Sequence, residues 1–222
     1  MKISLRNPEF SYIIALIIFE LIDYVTSSTL SFIDIGHPIN ILRITRFEDV
    51  LFVIIAIALV ACILTSLFAS QSVIFHTILL TAVLSMFGLF LNICGLVLSL
   101  FNRVADPRFL LMDAALMYVS TVLLFTVWYW ILDYQHQQAQ SSGEYIPPAI
   151  VFPLREKKIS GYENWKPGFI DYLFLSFHSS STMGPTDTLI LSKRVKITMM
   201  FQVSISLIVL IVVAARAIGI LR

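Results

Sequence analysis

The chain has 222 residues, 58% of them hydrophobic and 13% charged, with a formal net charge of +1. The charged fraction is about half that of soluble domains, and the mean hydropathy is +0.89. A soluble fold of this size cannot hide so much apolar surface, and a disordered chain does not carry it, so the composition calls for lipid as solvent.

Other classes drop out on motifs. No basic stripe with interleaved aromatics marks a nucleic-acid partner. Cys62 and Cys94 lie inside apolar runs, so neither a disulfide nor a zinc site is expected. No Gly-rich phosphate loop, Cys-x-x-Cys or His-Glu-x-x-His occurs, and no nucleophile–base pair is visible. The expectation is a protein that is not an enzyme, with no organic cofactor, metal or organic substrate.

Crossing hydrocarbon takes about 20 apolar residues in a helix, because lipid satisfies no backbone group. In chain order the spans are predicted at 10–32, 50–70, 73–101, 109–132 and 196–220. The opening, with Lys2 and Arg6 before an apolar stretch, also has the look of a signal peptide. Against that, Glu20 and Asp23 interrupt the stretch and no small-x-small site follows. Residues 133–166 read as a polar surface loop, with Pro147, Pro148, Pro153, Gly161 and a Gln/Ser-rich patch at 135–142. The run from Pro167 to Phe177 is apolar but only about a dozen residues long, the size of a re-entrant helix rather than a span. Pro167 suits the start of that helix. The following stretch, His178 to Thr188, is dense in hydroxyls and breakers. Such backbone survives at membrane depth only where protein or a water-filled cavity covers it.

Residues 165–187 resemble the pore helix and selectivity filter of tetrameric potassium channels. Phe169, Asp171, Leu173, Ser176, Phe177, Thr182, Gly184 and Asp187 align without a gap to F-x-D-A-L-Y-F-S-F-x-T-x-T-T-V-G-Y-G-D. The end of the last span, Ala214 to Gly219, is similar to many inner-helix ends. The chain also resembles poorly characterised bacterial ion-channel-like membrane proteins, through the run Trp128 to Asp133, Asp171 to Phe177, and Gly184 to Thr188. The resemblance implies a homotetramer in a bacterial plasma membrane, an integral multi-pass protein whose partners are lipid and copies of itself. It implies passage of monovalent cations, potassium among them, with Thr182, Met183, Gly184, Pro185, Thr186 and Asp187 as the filter. Pro185 and Thr186 stand where such filters have an aromatic residue and a second glycine. Proline fixes its own φ, and a β-branched residue is costly at positive φ, so a shorter or wider filter is expected.

On the last span, Thr198, Gln202 and Ser206 recur every fourth residue and share a face. They are read as lining a wet pore, with Val209 and Val213 as an apolar gate, or as hydrogen-bonding to neighbouring helices. Asp187 serves as a carboxylate ring at the mouth, as a cap, or as a partner of Lys193 or Arg194. His178 is a candidate proton sensor or a silent hydrogen-bonding residue. Glu20 and Asp23 lie three apart on one face; ionisable groups at that depth are functional candidates. They are read as proton sites or as partners of Arg43, Arg46 or Arg216. His76, Asn92 and Asp113 are read as interhelical hydrogen-bonding residues. Arg43 and Arg46 alone make no voltage sensor.

The expected fold is an all-α membrane protein of five transmembrane helices with one re-entrant pore helix and a filter-like loop. Residues 1–105 form an accessory bundle of three spans and 106–222 a pore module. That module places 133–166 outside and the C-terminus inside. Arg43, Arg46, Arg103, Arg108, Arg216 and Arg222 then obey the positive-inside rule, while Lys2, Arg6, Lys193, Arg194 and Lys196 do not. The competing functions are a non-conducting sensor or scaffold and a proton-coupled transporter using Glu20 and Asp23.

Overall fold

The protein is described by a computed structural model covering residues 9–31, 38–99, 107–142, 146–156, 165–182, 184 and 187–220. It is mostly helical. The helices are α1 (Phe10–Ser31), α2 (Pro38–Phe68), α3 (Gln71–Ser99), α4 (Pro107–Ser142), the one-turn α5 (Pro153–Glu156), α6 (Phe169–Thr182) and α7 (Lys193–Ile220). Strands β1 (Ile150–Val151) and β2 (Leu189–Ile190) form one antiparallel pair, with Ile150 opposite Ile190. Among the described residues, five helices are long and apolar enough to cross a membrane: α1, α2, α3, α4 and α7.

The two largest boundary differences from the sequence expectation share one reason: hydropathy reports the solvent of a segment, not its backbone. α2 starts at Pro38, so the charged stretch with Arg43, Arg46, Glu48 and Asp49 lies on helix rather than in a connector. Pro38 occupies the first helical position, where no N–H is needed. α4 runs on to Ser142 through the Gln-rich patch assigned to a loop, since Gln and Ala are sound helix formers. The last turns are tied to the following chain by the His136 ring, whose Nδ1 bonds the Ile146 carbonyl.

α4 is the central helix; α1, α3, α6 and α7 all pack on it. Its share of buried residues is the largest of the five, at 61% of the apolar window, against 11% for α2. α2 lies on α3 and α1 and turns Val53, Ile57, Val60 and Leu64 outward. An outward apolar face of this kind suits contact with lipid.

An aromatic cap fixes one end of the bundle. Tyr12 of α1 stacks on Trp130 of α4 with ring centroids 4.4 Å apart, and Phe75 of α3 stacks on Tyr134 of α4 at 4.2 Å. Tyr12 also meets Phe169 of α6 edge-on at 5.5 Å, and Tyr172 of α6 meets Phe152 beside β1 at 5.4 Å. The starts of α1, α3 and α6 and the end of α4 therefore lie at one level. Rings of this kind favour the membrane–water boundary.

Both flanks of α6 are tied to the segment around β1. On the entering side, Trp165 packs on Phe152 with ring centroids 5.9 Å apart. On the leaving side, β2 pairs with β1, and the backbone N–H groups of Leu191 and Ser192 both donate to the Ala149 carbonyl, at 3.1 and 3.2 Å. α7 then starts one residue later.

Candidate functional site

The site is built around α6, which starts with a reciprocal cap. Gly168 precedes the first helical residue, and its N–H donates to Asp171 Oδ2 at 2.7 Å, so the third-position carboxylate reaches back as in a capping box. Pro167, expected to start this helix, lies two residues before its first helical residue.

The inner face of α6 carries Tyr172, Ser176 and Ser180, four residues apart and all buried. Tyr172 donates its hydroxyl to Asp133 Oδ2 of α4 at 2.6 Å. Ser176 donates to the Val122 carbonyl of α4 at 2.8 Å. Those partners run toward the start of α4 as α6 advances, so the two helices are antiparallel.

Gln202 of α7 closes the network. It is fully buried, and its Nε2 donates to the Ser176 carbonyl and Oγ, each at 2.9 Å, and to Ser180 Oγ at 2.8 Å. Its Oε1 accepts the Tyr129 hydroxyl of α4 at 2.5 Å. One amide thus joins α4, α6 and α7. Such a network, hydrogen-bonded inside a low-dielectric interior, fixes a helix in one register.

The other residues assigned to α7 make none of these bonds. Ser206 and Val209 are buried within the chain; Thr198 and Val213 are half-buried. The face of α7 left open is Ile197, Phe201, Ser204, Ile208, Ile211 and Ala215, at alternating steps of three and four. α6 likewise leaves Ile170, Phe174, Phe177 and Ser181 open on one side.

Of the filter assignment, Met183, Pro185 and Thr186 lie outside the described residues, as does the Thr182 side chain. Gly184 is half-buried; a Cβ there meets nothing within 4 Å, and its φ is outside the left-handed region. Asp187 is exposed and, among the described residues, makes no ion pair with Lys193 or Arg194. His178 is half-buried against Phe174, ring centroids 4.2 Å apart.

Glu20 and Asp23 lie apart from this network, between α1 and α3. Ser85 donates to Glu20 and Asn92 to Asp23. The side chains of Arg43, Arg46 and Arg216, the partners considered for them, lie outside the described part. Asn92 thus does form the interhelical bond expected of it. His76 bonds the Ser72 carbonyl of its own helix at 2.6 Å. Cys62 bonds Thr81 across α2 and α3 at 3.2 Å, and neither cysteine is in a disulfide. No group of three His, Cys, Asp or Glu suited to a metal occurs among the described residues.

Sequence reasoning passed over Tyr129, Asp133, Ser176 and Ser180 as site residues. The signal was present as spacing: Tyr129 and Asp133, like Ser176 and Ser180, are four apart and share a helical face.

Comparison with known proteins adds no relative: no protein-family model, curated protein or solved structure matches the chain.

Proposed function

We propose that copies of this chain assemble around an axis and pass monovalent cations, with α6 as a re-entrant helix and residues 182–187 as the constriction. The observation that carries this reading is the shared level of Trp165 and residues 189–192, both tied to residues 149–152. Between those anchors lies one helix of 14 residues, about 21 Å at 1.5 Å per residue. That falls short of the roughly 30 Å of hydrocarbon, so the segment enters and returns.

The electrostatics fit a cation. The end of α6 carries the negative end of the helix dipole, equivalent to roughly half an elementary charge. Convergence of several such ends lowers the energy of a cation at the loop, and exposed Asp187 adds a carboxylate. One hairpin cannot enclose a pathway, so copies are required; the resemblance to tetrameric channels makes the number four. Gln202 holds α6 in place in this reading. The open face of α7 lines the pathway or joins the copies, with Ser204 as its polar step and Ile208 and Ile211 as the apolar narrowing.

The test is disulfide trapping. With Cys94 replaced by Ser, a cysteine at Ser204 or Ile208 is oxidised in membranes. Cross-linked dimers at either position, and a tetrameric mass in detergent, support the assembly. A monomer with no cross-link at either position overturns it.

A further inference from the structure

α1 carries two carboxylates that both meet α3. Glu20 is 4% exposed and lies in the middle of its apolar span, and Ser85 lies in the middle of that of α3. Ser85 donates its hydroxyl to Glu20 Oε1 at 2.5 Å, while Oε2 is buried and has no hydrogen-bond partner. Three residues along, Asn92 donates to Asp23 Oδ1 at 2.7 Å. Gly88 lies between the two α3 donors, and a Cβ there would stand 3.2 Å from Asp23 Oδ2. The absence of a side chain at Gly88 is what lets α1 and α3 come this close.

A carboxylate at this depth needs a cation or several donors to offset its lost hydration. Glu20 has one hydroxyl. Among the described residues, the charged group that acts on it is Asp23, of like sign. α3 presents it with a hydroxyl. Among the described side chains of the other two helices packed on α1, Cys62 of α2 bonds Thr81, and neither it nor Asp113 of α4 is a hydrogen-bond partner of Glu20. A proton on Oε2 removes the charge altogether and leaves Oε1 to accept from Ser85.

We infer that Glu20, held by Ser85 of α3, is a proton-binding site in the middle of the membrane, taking up a proton from water and carrying it on Oε2. The site lies in the α1–α3 seam and stands independently of the pathway proposed around α6. Loss of the proton places two like charges at consecutive turns of α1, which loosens this seam.

The whole protein in phosphatidylcholine vesicles tests this with dicyclohexylcarbodiimide in mildly acidic buffer. The carboxylic acid protonates a carbodiimide nitrogen and its oxygen adds to the central carbon. The resulting O-acylisourea rearranges to an N-acylurea, with no leaving group, so the α1 peptide gains the mass of one carbodiimide. We expect the adduct on Glu20, and none on α1 in Glu20→Gln, whose amide keeps the shape and still accepts from Ser85. Infrared difference spectra cover the case of a shielded acid: wild type minus Glu20→Gln should show the carbonyl stretch of a protonated carboxyl. Either signal supports the site. Absence of both, in protein with wild-type helix content, overturns it. Gly184→Ala should label like wild type, which separates this result from the fate of the pore reading.

Discussion

Replacing Gln202 by Leu should loosen α6 from the bundle. Leu fills similar volume and restores no polar contact. The two Nε2 hydrogens now serve Ser176 and Ser180, and Oε1 serves the Tyr129 hydroxyl. Ser176 keeps its bond to the Val122 carbonyl, and Ser179 stands beside the Tyr129 phenol to take over part of its pairing. About three hydrogen bonds are lost, at roughly 0.6 kcal/mol each by membrane averages. An orphaned buried hydroxyl costs about 1–3 kcal/mol. With partial re-pairing by Ser179, the expected loss is about 1–3 kcal/mol. Reversible unfolding in mixed micelles, followed by circular dichroism, measures it. A double-mutant cycle with Tyr129→Phe should return a coupling of about 0.6–1.7 kcal/mol. A Gln202→Leu protein within about 0.5 kcal/mol of wild type, with no coupling to Tyr129, would refute the reasoning that this amide fixes α6.

Three further predictions follow from separate contacts. Asp171→Ala removes the cap on Gly168 N–H and should cost about 1 kcal/mol in the same unfolding assay, while Asp171→Asn recovers part of it. Gly88→Val drives a branched side chain into the space next to Asp23 Oδ2 and should destabilise by about 1–3 kcal/mol; stability equal to wild type would show that the α1–α3 seam is slack. Glu9, just outside the first span, is 6% exposed, and its burial pushes the carboxyl above its ordinary value of 4.5, against a lowering hydrogen bond from Gln71. Its proton is bound more tightly in the folded protein, so this contribution is complete below the ordinary value. It is lost as pH rises through the folded one. Glu9→Gln should flatten that fall in a stability-against-pH series; an unchanged slope would contradict the assignment.

The spans were legible because lipid imposes one rule, a long apolar helix, and all five expected runs coincide with helices. What hydropathy did not show was helix carried by polar residues: the first three turns of α2 and the last turns of α4. α6 differs from the expected run of Pro167 to Phe177: it starts at Phe169 and continues through His178 to Thr182, because Ser hydroxyls can bond carbonyls of their own helix, as Ser179 and Ser181 do, instead of breaking it. The polar contacts were partly legible. Gln202 stood out as a polar residue in an apolar span, and hydrogen bonding to neighbouring helices was one of two readings open for it. Which residues it meets depends on how α4 and α6 are packed, and no single-helix pattern carries that. Tyr129 and Tyr172 pass for core aromatics by composition; only their hydroxyl partners, Gln202 and Asp133, mark them as polar anchors.

The central claim is passage of cations, and flux from liposomes holding the purified protein tests it most directly. Potassium, sodium and chloride gradients are imposed separately. The account predicts flux that depends on the cation, is absent for chloride, and changes in Gly184→Ala, a substitution for which the structure has room. No flux of any cation from folded, tetrameric protein, with wild type and Gly184→Ala alike, would contradict it.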